Sequence, residues 1–375
     1  MIWVLAVLSA AAAAYQLIAL AATLRHFLRA RPAPPAKQPP VSILKPMYGS
    51  EPRLYDALRS HAEQDYPEFE IVFGVRSMDD PSLADIERIR CDFPDARIRL
   101  VLARTPAPNG KVGVLADLAR ESRHPLLLMN DADILVPAGY LGDVLAPLAD
   151  PGVGMVTCLY RAVADHLPGR MEGLGIVTDF APSTLVAPFV GVSEFGLGST
   201  MAFRREDLVA IGGFEAVGDY IADDYQIGAR IHRLGRRNLI SQVVVETHLG
   251  ASKWSEVWQH QLRWARTIRL SRGAYAGLFL TQATFWALVD AAFGLWWLAL
   301  PLLAVRMAMA TTAGWWGMRS RDVLRLWPLI PVRDLFATAV WVAGLFGRRV
   351  RWRDLEMTLD RKGRIARVRG RAMTS

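Results

Sequence analysis

Hydrophobic and polar positions divide this chain into stretches with different periods. Residues 2 to 24 carry no charged side chain, and a helix of that length, at about 1.5 Å per residue, crosses the roughly 30 Å hydrocarbon layer of a bilayer. From 41 to about 245 short apolar runs alternate with amphipathic stretches, the pattern of an α/β sheet. It predicts strands over 41–44, 70–75, 98–102, 125–129, 153–157, 200–203 and 238–245, and helices over 53–63, 82–91, 111–120, 139–148 and 223–234. A second apolar region, 274–317, is long enough for two crossings with a turn near Leu300-Pro301, although Arg306 then needs a partner or must snorkel. The last apolar stretch, 327–346, contains Arg333-Asp334 and has basic clusters on both flanks, which predicts a re-entrant or interfacial helix rather than a crossing.

The expected organisation is a transmembrane anchor (1–25), a proline-rich linker (26–40), an α/β domain (41–250), an interfacial amphipathic helix (251–273), two to three membrane segments (274–347) and a basic cytoplasmic tail (348–375). A cleaved signal peptide carries positive charge before its apolar run. Here Arg25, His26, Arg29 and Arg31 follow it, so the N-terminus is expected outside and the α/β domain in the cytoplasm.

Composition agrees with partial residence in lipid, since the mean hydropathy is +0.19. The net charge of +8 is compatible with nucleic acid, anionic lipid or an anionic substrate. Position decides among them. Arg266, Arg269, Arg272, Arg319, Arg321, Arg325, Arg348, Arg349, Arg351 and Arg353 crowd beside the apolar runs, which fits membrane lipids and argues against nucleic acid. Cys91 and Cys158 lack metal-ligand spacing and read as reduced thiols.

Four polar clusters carry candidate chemistry. Asp79-Asp80 follows a strand and precedes a helix, where turn and cap chemistry competes with ligand binding. Asp131-Ala132-Asp133 follows the buried run Leu126-Leu127-Leu128-Met129-Asn130, and two carboxylates one residue apart suit Mg²⁺ or Mn²⁺ carrying a diphosphate. Asp223-Asp224 lies at a helix start, as caps or with one of them a general base. His260-Gln261-Leu262-Arg263-Trp264 falls on a helix with a basic, aromatic stripe. A membrane-surface helix accounts for that stripe, and a cation facing a departing diphosphate is the functional alternative.

Taken together, Ser42-Ile43-Leu44-Lys45-Pro46, Gln64-Asp65-Tyr66-Pro67, Asp79-Asp80-Pro81, Lys111-Val112-Gly113, Tyr220-Ile221-Ala222-Asp223-Asp224-Tyr225 and Arg263-Trp264 resemble the ceramide glucosyltransferase family, glycosyltransferase family 21, in the same order. The resemblance covers about 41–272 and implies a GT-A fold, a UDP-sugar donor, a divalent ion and a lipid acceptor. By position it implies Asp80 (with Asp79) and Lys111 at the donor, Asp131 and Asp133 at the diphosphate and metal, Asp224 as base, and His260, Gln261, Arg263 and Trp264 as the acceptor and diphosphate clamp. The chain departs from the family at His260, where the motif has Gln or Arg. The run from His260 to Arg269 also resembles bacterial hopanoid-associated members, which implies a hopanoid acceptor, N-acetylglucosamine or glucose as the sugar, and the bacterial inner membrane. Ceramide glucosylation, a processive polysaccharide synthase and a non-enzymatic membrane scaffold are the alternatives.

Overall fold

The computed structural model describes residues 2–370 except 34, 36, 272–274, 353 and 354. Arg272, Arg353, the linker positions Pro34 and Ala36, the boundary at Ala274 and the tail from 371 onward therefore lie outside the described residues. The chain forms two compact units, one of Ala30–Tyr160 and Ser193–Gly250, the other of Met1–Arg29, Arg161–Val192 and Ala251–Ser375. Residues 161–192 fall inside the 41–250 range but cluster with the second unit.

The first unit is built on an eight-stranded sheet: β1 (Val41–Pro46), β2 (Phe69–Val75), β3 (Ile98–Leu102), β4 (Leu126–Met129), β5 (Ile134–Leu135), β6 (Val153–Val163), β7 (Met201–Arg204) and β8 (Arg237–His248), in the order β3-β2-β1-β4-β7-β6-β8-β5. Strands β3, β2, β1 and β4 are parallel, and β7 runs antiparallel to β4 and β6. The strands are continuous apolar runs because helices cover both faces. Alternate residues enter separate cores: Val41, Ile43, Ile71, Phe73 and Leu128 pack with Leu58 and Ile86, whereas Leu44, Val72, Leu127 and Met129 pack with Leu115, Leu118 and Ile227. The sheet order reverses between β1 and β4, and at such a switch point ligands collect beyond the carboxyl ends of the strands.

In the second unit the helix Ile2–Leu28 buries a narrow stripe, Leu5, Ser9, Ala12, Gln16, Ala19 and Thr23, spaced three to four residues apart. The small alanines allow close helix packing, and two polar members bond to neighbouring elements. Ser9 Oγ donates to Asp290 Oδ2 at 2.6 Å, and Gln16 Nε2 to the Thr281 carbonyl at 3.2 Å. Trp3, Val4, Val7 and Leu17 point outward and stay exposed, as lipid rather than water would favour. Among the described residues two helices are long and apolar enough to cross a membrane, Ile2–Leu28 and Trp296–Gly317.

The hairpin turns earlier than expected. Gly294, with φ of 72°, separates the helices Ala283–Ala292 and Trp296–Thr311, and Pro301 lies inside the latter. A glycine adopts this left-handed conformation without a Cβ clash. Arg306 finds its partner: its guanidinium bonds Asp334 at 2.9 Å and 2.7 Å and the Thr178 carbonyl at 2.8 Å. The helix Ile330–Gly344 thus buries Asp334, and Arg333 pairs with Asp179 at 3.0 Å. Within the range read as a basic tail, β9 (Arg349–Trp352), β10 (Leu355–Leu359) and β11 (Ile365–Arg369) form an antiparallel sheet. Val350, Met357, Leu359 and Ile365 supply its buried side, an alternation masked by the arginines between them.

Candidate active site

At the sheet's switch point the chain leaves β4 through Asn130 and Asp131, beside the end of β1. Asn130 is fully buried, and its amide donates to Tyr140 Oη, the Ser199 carbonyl and Thr200 Oγ1, while its oxygen meets His61 Nε2 at 3.1 Å. These bonds hold the strand exit, so Asp131 projects from a rigid frame. Lys45, near the end of β1, is also fully buried and donates Nζ to the Asp131 carbonyl at 2.8 Å. Burial pulls its pKa down to about 7 against the opposing pull of Asp133 and Asp131.

Lys111, at the start of the helix Gly110–Glu121, draws the distant clusters together. Its Nζ bonds Asp131 Oδ1 at 2.5 Å and stands 3.7 Å from Asp223 Oδ2. Burial alone would lower its pKa, but Asp131, Asp223 and Asp224 outweigh burial and raise it. Asp224 occupies the start of the helix Asp223–Arg233, with Oδ1 accepting from the Tyr225 N–H at 2.7 Å and Oδ2 from the Gly198 N–H at 3.0 Å. Gly198 sits at the centre. A Cβ there would lie 3.2 Å from Asp131 Oδ2, 3.5 Å from Lys111 Nζ and 3.6 Å from Asp224 Oδ2, so the missing side chain leaves a cradle among these groups.

Four carboxylates (Asp131, Asp133, Asp223, Asp224) thus face two ammonium groups (Lys45, Lys111). Burial raises the pKa of Asp133, with Asp131 adding to it, while Thr247 Oγ1 donates to its Oδ2. Burial likewise raises Asp223, which keeps a bond from Asn109 Nδ2 at 3.4 Å and has Oδ2 without a hydrogen-bond donor. Asp224 is pushed up to about 6 by burial and by its neighbour Asp223. Such a surplus of hard oxygen donors fits a divalent cation. Among the described residues no three His, Cys, Asp or Glu side chains are grouped as an ion site.

The first acidic pair has a different environment. Asp80 accepts from the Gly49 N–H with both oxygens, at 3.0 Å and 3.1 Å, and from Ser82 N–H and Oγ at 2.9 Å and 2.7 Å. It fastens the loop after β1 to the loop after β2, whereas Asp79 is exposed. Lys45, Asn130 and Gly198 were assigned no role from sequence. The available signal was Lys45, a lysine within the apolar run Val-Ser-Ile-Leu-Lys, because lysine is almost never fully buried without a partner.

The helix bearing Asp223 and Asp224 approaches the 195–196 backbone so closely that a Cβ on Gly228 would lie 2.4 Å from the Phe195 carbonyl carbon and 2.5 Å from the Gly196 nitrogen. Gly228→Ala is expected to cost about 1–3 kcal/mol by overpacking and to weaken the Gly198–Asp224 bond. Thermal unfolding and turnover check this, and unchanged values in both would show slack in the contact.

The remaining predicted residues belong to the second unit. The helix Trp254–Ser271 carries His260, Gln261, Arg263 and Trp264. His260 Nδ1 and Gln261 Nε2 both donate to Glu172 Oε1, at 2.6 Å and 2.9 Å, and the rings of His260 and Trp264 lie 4.5 Å apart. Glu172 was not anticipated.

Comparison with known proteins gives this geometry a family. The model of "Glycosyl transferase family 21" matches residues 1–365. "Ceramide glucosyltransferase 1" of Caenorhabditis elegans is 28% identical over 54% of this chain and 44% of its own length, and "Ceramide glucosyltransferase" of Gibberella zeae is 33% identical over 44% of this chain and 34% of its own. The chain therefore aligns with less than half the length of these relatives. Among solved structures, a mannosyltransferase of Pyrobaculum calidifontis in complex with GDP-Man and Mn²⁺ superposes with a TM-score of 0.54 at 23% identity, over 90% of this chain and 97% of that one. That likeness establishes the GT-A type α/β fold.

Proposed function

The chain belongs to glycosyl transferase family 21, and on that premise we propose that it moves one sugar, N-acetylglucosamine or glucose, from a UDP-sugar to a hydroxyl of a membrane lipid with inversion at the anomeric carbon. The observation that carries this reading is the cluster at the switch point, where Asp224 is fixed by two backbone N–H groups beside Lys111 and Asp131.

In the proposed reaction Asp224 removes the proton from the lipid hydroxyl, whose oxygen attacks the anomeric carbon as UDP leaves from the opposite side. The base must be charged to act, and the raised pKa of Asp224 keeps it basic enough to take a proton. Asp131 and Asp133 would hold a divalent ion, which supplies positive charge against the diphosphate. Lys111 adds a fixed cation on the same side. Asp80 acts at the donor by holding the loop that follows β1. His260, Gln261, Arg263 and Trp264 serve the acceptor and the leaving diphosphate.

The outward apolar face of Ile2–Leu28 supports residence in a membrane, the basic residues Arg25, His26, Arg29 and Arg31 after its apolar run favour the cytoplasmic side for the α/β unit, and the resemblance of the run from His260 to Arg269 favours a bacterial inner membrane. A lipid acceptor must be met at that surface, because withdrawing its apolar body costs about 0.8 kcal/mol per CH₂. The motif from His260 to Arg269 favours a polyol-bearing hopanoid, and the ceramide glucosyltransferases among the relatives favour ceramide as the second reading.

Membranes containing the protein, incubated with each labelled UDP-sugar and each lipid, decide between them by mass spectrometry of the glycolipid. UDP release should require lipid, stop with EDTA and return with Mn²⁺ or Mg²⁺. No UDP release with any lipid would refute the reaction, polymeric product would indicate a processive synthase, and full activity in EDTA would remove the metal.

A further inference from the structure

Among the buried carboxylates of the second unit, Glu172 is the one bonded to the helix that carries His260. Glu172, in the helix Leu167–Gly175, is 2% exposed, and its Oε1 receives both His260 Nδ1 and Gln261 Nε2. Two donors from adjacent residues on one oxygen leave little freedom to that turn of the helix. The bond also has a chemical consequence for His260. A carboxylate oxygen accepts, so Nδ1 carries a proton, and in neutral imidazole Nε2 then presents a lone pair.

Among the described residues Nε2 of His260 has no hydrogen-bond partner, and it is absent from the buried unsatisfied atoms. The side chain is 29% exposed. Trp264 lies one turn on, with ring centroids 4.5 Å apart, and Phe180, which ends the π-helical turn Ile176–Phe180, packs on Trp264 at 6.0 Å. The result is a hydrogen-bond acceptor of fixed direction beside two aromatic rings. In that neutral form the lone pair repels a phosphate oxygen, which brings no proton of its own. An alcohol brings its own proton, and the rings suit the apolar carbons next to it.

We infer that His260 receives, through Nε2, a hydroxyl of the lipid acceptor other than the one that reacts, and that Glu172 is a positioning residue that sets the imidazole tautomer for it. The inference rests on the proposed transfer to a lipid alcohol and, within the clamp for acceptor and diphosphate, assigns His260 to the acceptor.

The test uses the full chain in mixed micelles, with kcat and KM measured separately for UDP-sugar and lipid in wild type, H260A, H260N and H260Q. Binding of the same lipid is followed without donor by tryptophan fluorescence. The side-chain amide of Asn falls near the Nδ1 position and keeps the bond to Glu172, whereas that of Gln reaches the Nε2 position. The acceptor KM should rise about tenfold in H260A and H260N, the loss of one hydrogen bond, while donor KM stays within about twofold and H260Q recovers most of the loss.

A merely structural tie to Glu172 predicts instead that H260N matches wild type, and that outcome overturns the inference. So does a rise confined to donor KM. E172A should raise acceptor KM in the wild-type background and add nothing to H260A, as expected of residues acting through one another. If E172A does not fold, the three His260 variants decide alone. His260-dependent lipid binding without any transfer would uphold this site and refute the reaction, and transfer with H260N unchanged would do the reverse.

Discussion

Asp224→Asn is expected to lower kcat about 10³-fold while nucleotide still binds, within the usual range for loss of a general base. The substitution keeps shape, and of the two N–H groups that Asp224 accepts, from Tyr225 and Gly198, the amide oxygen can keep one. Little stability is therefore at stake, and the deficit falls on proton removal. The wild-type pH profile carries a second signature. Burial and the adjacent Asp223 push Asp224 up to about 6, so the base is charged above that pH and is neutralised as pH falls through it. Activity should therefore rise with unit slope on the acid side and level off above about pH 6, and this limb should vanish from the residual rate of the variant. Purified protein assayed for UDP release and nucleotide binding provides both readings. Transfer within about tenfold of wild type would remove Asp224 from the base position.

Asp334→Ala is expected to remove most of the folded protein. Arg306 is 4% exposed at its side chain and Asp334 10%, and the pair is joined by two bonds at 2.9 Å and 2.7 Å, with Thr284 Oγ1 donating to the same carboxylate at 2.5 Å. Deleting the carboxylate leaves a guanidinium buried against a single carbonyl, that of Thr178. Breaking a buried pair from one side costs about 3–5 kcal/mol, a large part of the roughly 5–15 kcal/mol that keeps a domain folded. Replacing both partners with apolar residues, as in R306L/D334L, should recover much of the loss, because no charge is then stranded. Size-exclusion profiles and thermal unfolding of detergent-solubilised protein measure this. A single variant as stable as wild type, or a double variant worse than the single, would contradict the argument.

Much of the fold was legible along the chain. Strands β1, β2, β3 and β4 lie close to where their apolar runs end, because strands covered on both faces have no solvent side to interrupt the pattern. Asp131 and Asp133 were placed beyond β4 for the same reason. The first long apolar helix followed from length and absence of charge, which depend on no other part of the chain.

Other features depended on partners far away in sequence. Lys45 reaches the Asp131 carbonyl across 86 residues, and Gly198 leaves space between Asp131 and Asp224. The turn at Gly294 replaced the one expected at Pro301, which lies inside the helix Trp296–Thr311 at the loss of one backbone hydrogen bond. Arginines concealed the alternation of β9, β10 and β11, and Glu172 lay in a segment with no signal until its helix met His260.

The sequence by itself determined which residues prefer lipid, sheet interior or helix face, and the order of its acidic and basic clusters, because burial preference and backbone period are local properties. Only the tertiary structure decided that Lys111 joins Asp131 to Asp223, that Asp80 spends both oxygens on a loop, and that Arg306 meets Asp334. Electrostatic pairing acts over a few ångströms of space, and separation along the chain does not encode that distance.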